Sequence, residues 1–233
     1  MRLDKFISSC GYASRKEIKK LVKQGVVTVD GSAAKSADMN ISESAVVKVN
    51  GTELNYREFV YLMLNKPSGY VSATEDKKYP VVTELVGEEY AHFEVFPVGR
   101  LDIDTEGLLI LTNDGKLAHD LTSPKKNVYK KYFARLDKPA EKTDIDEFQK
   151  GMEFKDFTAK PAIMEITDNP SEVYIQIAEG KFHQVKRMCE RVGKTVTYLK
   201  RVSMGSLKLD DTLELGEARE LTEDELKLLR SGE

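Results

Sequence analysis

The first residues place apolar side chains at a spacing near 3.6: Leu3, Phe6 and Ile7 share one helical face, and Ile18, Leu21 and Val22 share another. The second helix starts with S-R-K-E, where Ser14 can cap the first turn and Glu17 can close a capping box, and it stops at Gly25. From there the period shortens to that of strands. V-V-T-V leads into an Asp30-Gly31 turn, and V-V-K-V runs into Asn50-Gly51, a strong hairpin signal. A compact helix-helix-strand module is expected over residues 1–58, with the polar, acidic stretch at 52–58 as linker.

A second domain is expected over residues 59–233, opening with F-V-Y-L-M-L-N-K-P-S-G, an apolar run closed by Pro67 and Gly69. Further strands are expected at Phe93 to Val98, Leu108 to Thr112, Val128 to Leu136, Ala162 to Thr167, Val173 to Ala178 and Val196 to Val202. Helical spacing marks 115–122, 142–150, 182–192 and 223–230. In the helix at 182–192, Phe182, Val185, Met188, Cys189 and Val192 form the expected buried stripe. Lys186 falls at its margin, where the stem can be buried and the ammonium turned into a cleft. The order lacks a regular β-α-β rhythm. The fold class is therefore α+β, a small α/β module followed by a domain with a mixed, largely antiparallel sheet.

Composition narrows the class. A hydrophobic content of 40% supplies a core, and the two cysteines, Cys10 and Cys189, stand far apart without zinc-ligand spacing, as free thiols in a reducing cytosol would. The charged start does not fit a signal peptide and no stretch reaches membrane-span length, so the expected location is cytoplasmic with no membrane partner. A net charge of -3 does not suggest a bulk-basic nucleic-acid binder, but the distribution does. Residues 1–23 hold seven Lys/Arg against two acids, residues 125–135 five against none, and residues 181–201 seven against one. On the second helix Arg15, Lys16, Lys19, Lys20 and Lys23 lie off the apolar stripe, a basic face suited to phosphates.

Candidate chemistry concentrates in G-R-L-D-I-D-T-E-G at 99–107, followed by L-L-I-L-T-N-D-G. Its D-x-D-x-E-G imitates a calcium loop, but the twelfth position is Asn113 instead of Glu and the upstream F-E-V-F-P-V reads as strand. Two readings remain: a surface turn with solvated acids, or a loop leaving a strand that presents a carboxylate near Arg100. No P-loop, GxGxxG or metal-ligand cluster is present, which points to chemistry without a cofactor or metal.

That string resembles the signature of bacterial ribosomal RNA pseudouridine synthases of the RsuA type. R-L-D-K-F at 2–6, S-R at 14–15 and G-V-V-T-V-D-G at 25–31 resemble the S4 RNA-binding domain, which docks onto structured RNA. The resemblance implies that Asp102 is the catalytic carboxylate, with Asp104 and Glu106 shaping its loop. K-K-Y at 130–132 is similar to the motif whose tyrosine lies under the target base, which implies Tyr132. E-G-K-F-H-Q-V-K-R-M at 179–188 implies Lys186 as the partner of the carboxylate, and Y-L-K-R-V at 198–202, with L-x-L-G-E at 213–217, implies Leu199 against the ring. Arg100 is implied to fill the space of an everted nucleotide or grip its phosphate. Expected RNA contacts are Arg2, Lys5, Arg15, Lys16, Lys19, Lys130, Lys131 and Arg187, and His183 is expected to bond RNA or backbone. G-E-A-R-E-L-T at 216–222 departs from the family, where an aromatic and a proline are expected.

The activity so implied is isomerisation of one uridine, U516, in 16S ribosomal RNA, by a monomer without cofactor. H-Q-V-K-R-M and T-S-P-K-K at 122–126 favour the small-subunit RNA. The alternatives are a large-subunit synthase and an S4-type assembly factor that binds RNA without chemistry. The intact G-R-L-D speaks against the second, because a binding protein has no need of that acid among phosphates.

Overall fold

The computed structural model describes residues 1–42 and 44–231. The chain divides into two units, one of Met1–Val60 with Glu88–Glu94 and one of Tyr61–Gly87 with Val95–Glu233. A linear reading with one break at 58/59 does not foresee the return of 88–94 to the first unit, which is a long-range event without a local signal.

In the first unit, helix α1 (Leu3–Ser9) is followed by α2 (Arg15–Lys23). The Ser14 side chain accepts from the Glu17 amide while the Glu17 carboxylate accepts from the Ser14 amide at 2.9 Å, so the capping box closes as its sequence requires. Strands β1 (Val27–Val29), β2 (Ser32–Ala33), β3 (Val47–Val49) and β4 (Thr52–Leu54) form an antiparallel sheet in the order β2-β1-β3-β4. Asp30 and Asn50 adopt positive φ in its turns, as Asp-Gly and Asn-Gly hairpins do. Leu3, Phe6, Ile7, Ile18, Val22 and Val27 fill the core of this unit. The lysines of α2 are left on its outer face.

The second unit is built on a nine-stranded sheet. Its strands are β5 (Tyr61–Lys66), β6 (Phe96–Pro97), β7 (Glu106–Thr112), β8 (Lys130–Leu136), β11 (Ile163–Ile166), β12 (Glu172–Ile177), β13 (Val196–Met204), β14 (Leu207–Lys208) and β15 (Ala218–Glu220), with β9 (Met152–Glu153) and β10 (Thr158–Ala159) as a separate hairpin. The main order is β11-β12-β8-β13-β7-β5-β15, and among its pairings only β13 with β7 is parallel. The expected mixed, largely antiparallel α+β fold is what forms. Helices α3 (Gly115–Thr122), α4 (Lys142–Lys150), α5 (Gln184–Arg191) and α6 (Glu223–Ser231) complete the unit.

Strands β5 and β7 are buried along nearly their whole length, the pattern of central strands covered on both faces. Strands β8 and β12 alternate buried with partly exposed positions, so each turns one face to the core. The strand expected at Phe93 to Val98 is a correction: residues Glu88–Phe93 form a 3-10 helix, Glu94 takes a positive φ, and only Phe96–Pro97 pair. The departure at 216–222 is absorbed at the sheet edge. There Arg219 joins Asp210 and Glu225 at 2.7 Å each.

Candidate active site

The loop between β6 and β7 is fixed through its backbone. The Ser72 hydroxyl donates to the Leu101 carbonyl and accepts from the Leu101 amide, both at 3.0 Å. The Gly69 amide donates to the Ile103 carbonyl at 2.7 Å, and the Thr105 amide to the Asp102 carbonyl at 3.1 Å. Beneath the loop Lys66, with 0% of its surface exposed, donates to the carbonyls of Pro67, Asp102, Ile103 and Thr105 at 3.0, 3.1, 3.3 and 2.9 Å. Three N–H groups thus serve four carbonyls. Burial pushes the Lys66 ammonium down to about 8, against the raising influence of Asp104, Asp102 and Glu106. Gly107, at positive φ, lies so close to β13 that a Cβ would collide with the Arg201 carbonyl oxygen. Only glycine lets the loop enter β7 there.

So held, Asp102 presents its carboxylate at a cleft. The side chain is 26% exposed, with Lys186 Nζ 3.3 Å from Oδ2 and His183 Nε2 3.7 Å from Oδ1. Lys186 also binds Asp104 Oδ1 at 2.6 Å. Burial works against ionisation of Asp104, but the hydrogen bond and charge of Lys186 prevail and hold its carboxyl below the usual range. Tyr132 and Leu199, both buried, line the same cleft, and Arg100 stands at its rim. The structure therefore brings together all five residues expected at the centre. It adds His183 and Asp104 to them.

Helix α5 delivers Lys186. Val185, Met188 and Cys189 face inward, and the approach is braced by Glu179, which accepts from the Lys160 amide at 2.9 Å and from Gln184 Nε2 at 3.2 Å. Phe182 is a correction to the expected buried stripe: it is 72% exposed, because the helix begins only at Gln184, after His183 in the left-handed region. It stacks on His183 with ring centres 3.8 Å apart.

Among the expected RNA contacts the structure separates free cations from committed ones. Lys5, Arg15, Lys16 and Lys19 are exposed and make no ion pair among the described residues. Arg2 is exposed but forks onto buried Asp4 at 2.7 and 3.0 Å. Arg187 bonds Asp156 at 2.9 Å and lies over the Phe154 and Phe157 rings at 4.8 and 4.6 Å, and Lys131 pairs with Glu165 at 2.7 Å. Lys130 is a correction. It is 7% exposed, and its ammonium donates to the Val128 carbonyl at 2.6 Å, so it faces the core and not RNA. A signal for this was present: Lys130 and Tyr132 are two apart in a strand and share a face, so a buried Tyr132 carries Lys130 inward. Lys66 was missed altogether. A lysine two residues after the apolar run Y-L-M-L is its one trace.

Comparison with known proteins places this arrangement. Residues 60–191 match the RNA pseudouridylate synthase family, and residues 1–47 match the S4 domain. An uncharacterized RNA pseudouridine synthase of Bacillus subtilis is 50% identical over 98% of this chain and 98% of its own. The ribosomal small subunit pseudouridine synthase A of Escherichia coli K12 is 39% identical over 97% of this chain and 98% of its own. A crystal structure of a pseudouridylate synthase superposes with a TM-score of 0.70 at 36% identity, covering 98% of this chain and 99% of that one. The chain is thus an isomerase that belongs to the RNA pseudouridine synthases, and within them to the RsuA family. Among the described residues no helix is long and apolar enough to cross a membrane.

Proposed function

We propose that this enzyme converts one uridine of small-subunit ribosomal RNA, U516, to pseudouridine as a monomer, with Asp102 as the catalytic carboxylate. One observation carries the reading. A partly exposed carboxylate stands beside an ammonium in a cleft whose walls include a tyrosine and a leucine, on a loop held by three carbonyl bonds from Lys66.

The reaction breaks the bond between uracil N1 and ribose C1', turns the freed base, joins C5 to C1' and moves the C5 proton to N1 in net terms. No electrons are exchanged. The transition state gathers positive charge at the sugar, and a carboxylate there stabilises it as in glycosidases. The ammonium of Lys186 offsets the repulsion between that carboxylate and incoming phosphates. Tyr132 and Leu199 supply apolar surface that keeps the loose uracil from leaving while it rotates.

The cleft is small, about 60 Å³. An everted nucleoside enters past the rim, where exposed Arg100 and partly exposed His183 can swing aside. Arg100 can then occupy the gap left in the RNA stack, which costs a few kcal/mol to open. The exposed cations of α2 hold the RNA by its phosphates, as do those of S4 domains. The test is to incubate the enzyme with naked small-subunit RNA, its assembly intermediate and large-subunit RNA, and to map pseudouridine in each. One new site in the small-subunit RNA is expected. Modification of large-subunit RNA alone would overturn the assignment.

A further inference from the structure

The sheet that carries Tyr132 and Leu199 into the cleft has a second face. On β8 and β12 the alternate positions turned from the core are Lys131, Phe133, Arg135 and Tyr174. Cross-strand register sets Tyr174, Phe133 and Lys200 in one row and Glu172, Arg135 and Tyr198 in the next. Three partly exposed rings thus meet edge to face, Phe133 lying 5.6 Å from Tyr174 and 6.2 Å from Tyr198. A groove of about 560 Å³ opens over them. The catalytic reading uses none of these groups.

Cations surround the rings. Lys131 Nζ lies 4.8 Å from the centre of Tyr174, and the Arg135 guanidinium 5.2 Å from that of Tyr198. These two have carboxylate partners in Glu165 and Glu172. Lys200 and Lys208 line the groove with no ion pair among the described residues, and Asp211 is the one acid in its lining. Flat rings with unneutralised cations beside them meet the two demands of single-stranded nucleic acid, a surface for bases and charge for phosphates. A neutral or basic protein surface laid here would bury Lys200 and Lys208 without counter-charge, which is costly, whereas RNA brings a phosphate with every nucleotide.

We propose that this groove binds a single-stranded segment of the RNA, its bases on the Phe133, Tyr174 and Tyr198 rings and its phosphates at Lys200 and Lys208. The site lies on the face opposite Tyr132 and acts in affinity, not in the chemical step. It lets the enzyme grip unpaired RNA next to the structured element that holds the target.

The direct test uses the full chain and an oligouridine of about 12 nucleotides, a length suited to one such platform, carrying 4-thiouridine for photocrosslinking. Crosslinked peptides containing Tyr174 or Tyr198 are expected, and they should fade in the Lys200→Ala/Lys208→Ala variant, whose salt slope for binding drops by about 1.4. Tyr174→Leu, which keeps an apolar strand residue, should weaken oligouridine binding about tenfold. Should that variant fail to fold, the lysine pair decides alone, since both side chains reach solvent. Crosslinks confined to α2 and the cleft, or an unchanged salt slope, would overturn the proposal. So would light scattering that shows a dimer broken by the lysine substitutions. Because binding is read, the same experiment in an Asp102→Asn background keeps this result separate from the fate of the catalytic assignment.

Discussion

Helix α2 of the first unit and the interior of the second handle positive charge in opposite ways. In the first, Arg15, Lys16, Lys19, Lys20 and Lys23 stand exposed on one helix without ion-pair partners among the described residues. In the second, Lys66 and Lys130 are buried on carbonyls, Lys186 bridges two aspartates, Lys194 pairs with buried Asp144 at 2.7 Å, and Arg201 donates to the Leu108 carbonyl at 2.7 Å. Equal side chains thus serve different ends. A solvated cation contributes affinity that salt erodes, while a cation bonded inside the fold fixes geometry and is barely screened.

The sharpest way to break that contrast is to remove the cation under the loop. Lys66→Met removes one donor from each of four carbonyls, of which those of Asp102 and Ile103 keep a backbone amide, and kcat should fall about 100-fold, the scale of a loss in preorganised positioning, with KM for RNA nearly unchanged. A loss confined to KM would mean that Lys66 acts in RNA affinity.

Titration of the same group should give a milder effect. Its ammonium is held at about 8, below the ordinary 10.5, so between these values the folded state binds fewer protons than the unfolded. Linkage then makes this group's contribution to stability rise with pH across that window. Activity should do the reverse, falling above pH 8 as a neutral amine with two N–H groups replaces one with three. The limb should persist in Lys130→Met, whose lysine is likewise held near 8 by burial but touches no part of the loop. Its disappearance there would assign the limb to Lys130.

Smallest in its effect on conversion is charge removal from α2. Replacing Arg15, Lys16 and Lys19 by alanine should lower the slope of log Kd against log salt by about 2 to 3 and leave the rate at saturating RNA unchanged. Reduced turnover at saturation would show that these residues also place the target.

What could be read from sequence follows the range of the forces involved. The α2 capping box was legible because Ser14 and Glu17 are three apart and their bonds are local. Asp102, Tyr132, Lys186 and Leu199 each stand in a motif visible in the sequence, yet their meeting in one cleft depends on one loop, two strands and a helix. The charge islands misled because sequence counts charges but not directions. Within 125–135 Lys130 turns inward while Lys131 turns outward, and within 181–201 Lys194 and Arg201 are buried. Phe182 was placed on a helical face one residue before a left-handed His183 that ends any such face. Lys66 reaches carbonyls 36 to 39 positions away, which no local window contains.

The most direct measurement is single-turnover conversion of small-subunit RNA by Asp102→Asn at enzyme concentrations above the Kd measured for the same variant. Conversion should drop by more than about 1,000-fold, the scale seen when an essential catalytic group is removed, while Kd stays within about twofold, because the substitution keeps shape and removes only charge. Conversion at the wild-type rate would contradict the account, for it would take the chemistry away from that carboxylate.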